Sequence, residues 1–191
     1  MWWWLMMAGA VEPAASERPG MVGHFEGATY TMLTASVGDA RRTKKHAKAL
    51  AARVDVPMAI RIEATHVAKC RDLSCMTDAV AQMGRTCAQC HVAGGVGPVP
   101  SGIEALPSLP PQKQHAFAAM YMWIGLVSPH ERAFEVGLGG AVPPVSLDSS
   151  QELYDLLGTF EQLVGDAKAM GSWDDRADAF GSMLEACARC H

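Results

Sequence analysis

The pattern Cys-x-x-Cys-His occurs twice in this chain, and it constrains the local structure more than any other feature. One copy is Cys87-Ala-Gln-Cys90-His91 and the other is Cys187-Ala-Arg-Cys190-His191, with His191 as the last of 191 residues. Residues at i, i+3 and i+4 share one face of an α-helix, so the two thiols and the imidazole of each copy point the same way. The pattern therefore predicts a helix that presents two sulfur atoms and one ring nitrogen to a common ligand.

Two thiols at this spacing can add to the two vinyl groups on one edge of a porphyrin, and the next imidazole then binds iron from one face. This pattern is the attachment signature of c-type haem. Zinc is the remaining alternative, but paired zinc motifs are usually about 15–20 residues apart, whereas 96 residues separate Cys90 from Cys187. We predict two covalently bound haem c groups, with His91 and His191 as the proximal iron ligands.

Composition and capping residues indicate an all-α fold. Hydrophobic residues make up 49% of the chain and aromatic residues 7%, and Ala, Leu, Val and Met dominate the apolar set, which favours helices over strands. Capping signals such as Ser149/Glu152, Ser172/Asp175 and Ser128-Pro129-Glu131 mark helix starts in the second half. The predicted helices cover residues 21–37, 39–54, 57–70, 76–91, 112–127, 129–140, 149–165 and 173–190.

The two halves of the chain align at a fixed offset of 91 residues, which indicates an internal duplication. His24 then matches His115, Tyr30 matches Tyr121, and Arg41 matches Arg132. Four helices in each half are typical of a four-helix bundle. The predicted organisation is an N-terminal segment (1–20), a first haem domain (21–91), a Gly/Pro-rich linker (92–112) and a second haem domain (113–191).

This arrangement resembles the cytochrome c′ family, and more narrowly its tandem di-haem bacterial forms. The resemblance rests on both Cys-x-x-Cys-His motifs and on the segments HFEGATYTMLTASVGDARRTKKHAKALA and HAFAAMYMWIGLVSPHERA, and it covers roughly residues 21–191. It implies a four-helix unit that carries its haem motif at the end of the last helix, with the distal ligand or pocket residue on the first helix.

The distal ligands are predicted from the duplication. His24 and His115 are the only remaining histidines that coincide under the repeat offset, so we predict that they complete bis-histidine coordination. A Met is the usual low-spin ligand in the family, so His at both positions is a departure from it. The alternatives are no sixth ligand, the core histidine His66, or a Met from the same first helices: Met21, Met32, Met120 or Met122.

The N-terminus suggests export to an oxidising compartment, which bears on the remaining two cysteines. Cys70 and Cys75 flank a turn before the first haem helix, and export would favour a disulfide between them, with two free thiols as the alternative. An uncharged run from Trp2 to Val11 has the length of a signal-peptide core, and Ala8–Ala10 near its end fits a cleavage site, although no basic residues precede it. We predict a periplasmic protein, with an uncleaved interfacial segment as the alternative.

Charge and chemistry then indicate the functional class. Residues 21–91 have a net charge of +4 and residues 92–191 a net charge of −7, which is not the uniformly basic surface that nucleic-acid binding needs. No catalytic acid–base pair stands out beside either motif. We predict a non-enzymatic carrier of single electrons that meets protein donors and acceptors or a membrane redox complex, with no small-molecule substrate. The alternative is a gas-binding or peroxide-handling protein with one open iron position.

Overall fold

The computed structural model of the chain describes residues 19–95, 103, 105–106, 108, 110–142 and 150–191. The regular secondary structure of these residues is entirely helical, so the all-α prediction is confirmed. The predicted export signal and about half of the predicted linker lie outside them. The eight helices are α1 (Pro19–Ser36), α2 (Ala40–Ala51), α3 (Met58–Lys69), α4 (Leu73–Gly94), α5 (Pro111–Val127), α6 (Glu131–Gly140), α7 (Gln151–Ala169) and α8 (Trp173–Cys190).

Capping explains where the two motif-bearing helices begin. The Asp72 carboxylate accepts a hydrogen bond from the backbone N–H of Cys75, so α4 starts three residues earlier than predicted. Ser172 accepts from the N–H of Asp175 and starts α8 at the predicted residue. Each motif thus lies near the C-terminal end of a capped helix of 22 or 18 residues.

Two predicted caps are wrong. Ser150, instead of the predicted Ser149, caps α7, because its hydroxyl accepts from the N–H of Leu153. Ser128 ends α5 instead of starting α6, because its hydroxyl donates back to the carbonyl of Ile124 in the preceding turn. The imidazole of His130 takes the capping role and accepts from the N–H of Ala133, so α6 starts at Glu131. Both residues are capable of capping, and the fold of the preceding helix decides between them.

The helices of each half contact one another in the same order, and further contacts join the two halves. In the first half α1 contacts α2 and α4, and α3 lies between α2 and α4; in the second half α5 to α8 repeat this order. Between the halves the main contact joins α4 to α8, and α1 and α5 also touch both of them. The two motif-bearing helices therefore share one core.

Trp123 of α5 forms the centre of the contact between the halves. Its side chain is fully buried, its indole N–H donates to the hydroxyl of Thr29 at 3.0 Å, and its ring stacks on Phe180 at 6.0 Å between centroids. Gly84 of α4 makes room for it, because a Cβ there would lie 2.9 Å from both Trp123 and Leu126. One aromatic side chain thus connects α1, α4, α5 and α8.

The turn between α1 and α2 also needs a glycine for its contact with the other half. Gly38 has a φ of 68°, in the left-handed region that side chains other than Gly rarely adopt. A Cβ at this position would lie 2.9 Å from the backbone carbonyl oxygen of Ala188 in α8. This turn of the first half therefore rests directly on the second motif-bearing helix.

Candidate functional site

The first candidate site lies where the N-terminal half of α1 meets the C-terminal end of α4. His24 and His91 are both buried there, with exposed fractions of 5% and 8%. Their ring centroids are 6.5 Å apart and the ring planes are inclined by 37°. The structure therefore brings the first predicted distal histidine opposite the first predicted proximal histidine.

The second candidate site repeats this arrangement in the other half. His115 in α5 faces His191, which directly follows α8, at a centroid distance of 6.4 Å and an interplanar angle of 29°. Here His115 is half-buried and His191 is exposed. The same pairing of imidazoles thus occurs in a more open setting.

These separations suit a metal ion between the two rings of each pair. An imidazole nitrogen bonds a transition metal at about 2.0–2.1 Å and lies about 1.1 Å from its ring centre, so two axial imidazoles have centroids about 6.3 Å apart. The observed distances of 6.5 and 6.4 Å agree with this value. Two imidazoles joined directly by a hydrogen bond would have nitrogens about 2.9 Å apart, so their ring centroids would lie closer together than in the observed pairs.

One imidazole in each pair is fixed by a backbone carbonyl at the end of a helix. His91 Nδ1 lies 2.7 Å from the carbonyl oxygen of Val127, and His115 Nδ1 lies 2.6 Å from that of Ala141. A carbonyl oxygen only accepts, so Nδ1 carries the hydrogen in both rings. In the neutral ring Nε2 then keeps its lone pair, which is the tautomer that binds a metal, and such partners fix ligand orientation.

The cysteines of both motifs have matching surroundings. Cys87 and Cys187 are buried, and Cys90 and Cys190 are exposed. Burial, reinforced by the neighbouring cysteine, raises the pKa of both buried thiols to about 12. They are therefore uncharged at neutral pH, and a neutral thioether of similar size fits the same apolar environment.

An apolar wall lies beside the second pair. A cavity between α7 and α8 is lined by His115, Leu156, Leu157, Phe160 and residues of the second motif. The Phe160 ring meets His115 edge-on at 6.2 Å between centroids. Desolvation at this position lowers the pKa of His115, which favours its neutral form; the bond to Ala141 acts in the opposite direction. An apolar wall, a pair of imidazoles and flanking thiols together are compatible with a covalently attached porphyrin.

The alternative distal ligands that the structure describes lie in the hydrophobic core or at the surface. Met32 and Met122 are core residues, with exposed fractions of 0% and 2%, and Met120 packs against the same core. The side chain of Met21 is outside the described part of the structure. His66 is exposed and lies next to Cys70 and Cys75. These two cysteines form a disulfide, which confirms their predicted pairing.

Sequence reasoning missed the two carbonyl groups and the aromatic wall. The available signal for Val127 was the following Ser128-Pro129, since a helix that stops there leaves its last carbonyls without intrahelical partners. Nothing in the sequence indicates which imidazole such a carbonyl would meet. The position of Phe160 is likewise a result of how α7 packs on α8.

Comparison of the chain with protein families, with characterised protein sequences and with solved structures finds no match. The resemblance to the cytochrome c′ family therefore stays a hypothesis that rests on the motifs and the helical pattern. None of the helices in the described residues combines the length and the apolar character that crossing a bilayer requires.

Proposed function

We propose that the protein is a di-haem c-type cytochrome that transfers single electrons. The observation that carries this proposal is the pairing of two imidazoles 6.4–6.5 Å apart beside each Cys-x-x-Cys motif. Four histidines separated by up to 167 positions in the sequence would have to meet in the correct pairs by chance if they had no common ligand. The same geometry in both halves supports a common role for the two pairs in binding a metal.

Within this proposal each residue has a defined task. Cys87 and Cys90 would form thioethers with the first haem, each S–H adding across one vinyl double bond without net oxidation. His91 and His24 would bind its iron from opposite faces. The second haem would be held in the same way by Cys187, Cys190, His191 and His115. When bound, such groups supply an iron that cycles between the ferrous and ferric states.

The paired histidines favour electron transfer over gas binding. An imidazole on each side of a metal leaves no position for NO, CO or peroxide, and six-coordinate iron changes its geometry little between oxidation states. Two histidine ligands also give lower potentials than a His/Met pair, because Met raises the potential. The alternative, an open iron site that binds a gas or handles peroxide, would require His24 or His115 to stay away from the metal.

The tandem organisation belongs to the same proposal. Two haem units of the cytochrome c′ type, joined by the segment 92–112, would share the core formed by α1, α4, α5 and α8. Such an arrangement would hold both prosthetic groups in one compact carrier. We further propose that the protein acts after export to the periplasm, where thioether haem attachment and the Cys70–Cys75 disulfide are both compatible with the environment.

One-electron donor and acceptor proteins are the proposed partners, as soluble proteins or as parts of a membrane redox complex. The first half is basic and the second half acidic in net charge. Opposite fields on two parts of one carrier can orient successive partners of different charge. Nucleic acid and small-molecule substrates are not part of this proposal.

The test begins with covalent attachment. The chain should be produced in a host with a c-type haem maturation system, and its intact mass compared with that of the polypeptide. We expect an added mass of two haem groups, a positive haem stain on a denaturing gel and a low-spin visible spectrum. An unmodified mass would refute the proposal, and a high-spin ferric spectrum that shifts with CO would favour the gas-binding alternative.

The distal histidines are tested by substitution in the holoprotein. His24→Ala and His115→Ala should each open one iron, so that one of the two haems binds CO while the other keeps its spectrum. His66→Ala is a matched control, because it removes an exposed imidazole that faces neither pair. If neither variant binds CO, the assignment of the distal ligands is wrong even when both haems are attached.

A further inference from the structure

Helix α5 belongs to the second half but takes part in both candidate sites. His115, its fifth residue, faces His191, whereas Val127, its last residue, accepts the hydrogen bond from His91 of the first half. The 12 positions between them correspond to about 18 Å along the helix axis. The first site is therefore completed by a backbone group that the other half supplies.

The carbonyl of Val127 is available because α5 ends there. The carbonyls of Ile124 and Gly125 accept from the N–H groups of Ser128 and His130. Pro129 has no N–H, and the chain turns into α6, so the last carbonyl of α5 is directed to His91 instead. A helix C-terminus also carries a partial negative charge of about half an electron, which strengthens its attraction for the Nδ1–H group.

The second site uses the same device from a different helix. Ala141 directly follows α6, and its carbonyl holds His115. The close approach of α5 and α6 makes this possible, since a Cβ on Gly137 would lie 2.6 Å from the backbone nitrogen of Met122 and 2.7 Å from the carbonyl oxygen of Ala118. Thus the imidazoles of His115 and His91 are both oriented by carbonyl groups at helix ends.

We propose that the carbonyl groups of Val127 and Ala141 are positioning groups that set the orientation and electron density of His91 and His115. This inference rests on the proposed function. A stronger hydrogen bond to Nδ1–H makes the imidazole a better electron donor, which stabilises ferric iron and lowers the potential. The potential of the first haem then depends on how the second half is seated against α4.

Two glycine variants separate the roles of the two carbonyls in the full-length di-haem protein. Gly84→Ala adds a methyl group against Trp123 and Leu126, which pushes α5 away from α4 without touching any predicted ligand. Gly137→Ala pushes α6 away from α5 in the same manner. Gly158→Ala in α7 is the control, because nothing lies within 4 Å of a Cβ there.

The measurement is a potentiometric titration of both haems, combined with electron paramagnetic resonance of the ferric state. His24→Met identifies the first haem, since Met ligation raises its potential. We expect Gly84→Ala to raise only the first potential, Gly137→Ala to raise only the second, and Gly158→Ala to change neither. The inference is overturned if the folded Gly84→Ala and Gly137→Ala proteins keep wild-type potentials. It is also overturned if Gly84→Ala changes the potential of the second haem and Gly137→Ala changes that of the first.

A second measurement needs no variant and remains available if the glycine variants fail to fold. In the ¹⁵N-histidine-labelled wild-type protein, the Nδ1–H protons of His91 and His115 should be visible by NMR and protected from solvent exchange in the ferrous state. Rapid exchange of both protons would overturn the inference. Absence of covalent haem would instead refute the proposed function, so the two failures are distinguishable.

Discussion

The two candidate sites have the same ligand geometry and different surroundings. In the first, both histidines are buried and the nearest fixed carbonyl comes from the other half of the chain; in the second, His191 is exposed and the carbonyl comes from the same half. The two pairs of histidines therefore share one spacing but differ in their environment. A difference in burial alone is enough to give two otherwise equal haems different potentials.

The largest expected effect is the loss of one prosthetic group. Cys87→Ala/Cys90→Ala and Cys187→Ala/Cys190→Ala should each reduce the intact mass by one haem. The first double variant should lose more thermal stability, because it empties a site in which both histidines are buried, whereas His191 of the second site is exposed to solvent. Mass spectrometry and thermal unfolding test this together; equal decreases in Tm would contradict the contrast between a buried and an open site.

The next largest effect is expected at the contact between the sites. Trp123→Ala removes a fully buried aromatic side chain and should lower the free energy of unfolding by about 3–5 kcal/mol. In the wild type, the spectral changes of both haems should occur in one unfolding transition, and the variant should separate them. Thr29→Val, which removes only the hydrogen-bond partner of the indole, should cost about 1 kcal/mol and keep a single transition.

The turns that precede the two motif-bearing helices are stabilised in different ways. A disulfide joins Cys70 and Cys75 before α4, whereas before α8 the Arg176 guanidinium donates to the carbonyl of Met170 at 3.1 Å and to Glu131 at 2.8 Å. Cys70→Ser/Cys75→Ser should cost about 2 kcal/mol, from the small loop that the bond closes.

Arg176→Met keeps the apolar stem and should cost about 1–3 kcal/mol through the lost hydrogen bonds of a buried guanidinium. Urea titration of both variants measures these differences in the free energy of unfolding. A reducing agent should destabilise the wild type and Arg176→Met but not the double Ser variant. If reduction leaves the wild-type midpoint unchanged, the disulfide contributes nothing to the first half.

The smallest effect concerns two acids at the α4–α8 contact, Asp78 and Asp178, which are 100 positions apart, the same separation as His91 and His191. Desolvation, and then the charges of Glu185, Asp178 and Asp72, raises the pKa of Asp78. A raised carboxyl pKa means that its stabilising contribution is present below the unfolded pKa and is lost as pH rises through the folded pKa. Asp178 instead pairs with Arg85 at 2.8 Å.

Asp78→Asn should therefore raise Tm slightly at pH 7 and not at pH 3, where the carboxyl is protonated in both states. The gain should be below about 1 kcal/mol because the group is largely solvated. Asp178→Asn should lower Tm at pH 7 by a comparably small amount. Thermal unfolding of both variants at the two pH values checks the opposite signs; a shared sign would show that the two positions are equivalent after all.

Local patterns predicted much of the fold. The predicted bounds of α8 agree with the structure at both ends. Its start was predictable because Ser172 and Asp175 form a cap within one turn. The Cys70–Cys75 pairing was also predictable, since the two residues are only 5 positions apart. The misassigned Ser128 shows the limit of this reasoning, because a residue between two helices can serve either of them.

The candidate site was only partly predictable for a physical reason. The motifs identify His91 and His191 directly, and the repeat offset singles out His24 and His115 among the other histidines. These signals predicted which histidines pair, but neither gives the separation or the burial of the rings, because those depend on how α1 packs on α4 and how α5 packs on α8. A resemblance between halves identifies equivalent positions, not their surroundings.

By itself, the sequence determined the helical class, some of the helix caps and the two Cys-x-x-Cys-His motifs, because all of these depend on neighbours within a few positions. The tertiary structure decided that the carbonyl of Val127 meets His91 and that Trp123 reaches Thr29, across 36 and 94 positions of the chain. It also decided that one site is buried and the other open. Such contacts depend on the simultaneous packing of several helices, which no single segment specifies.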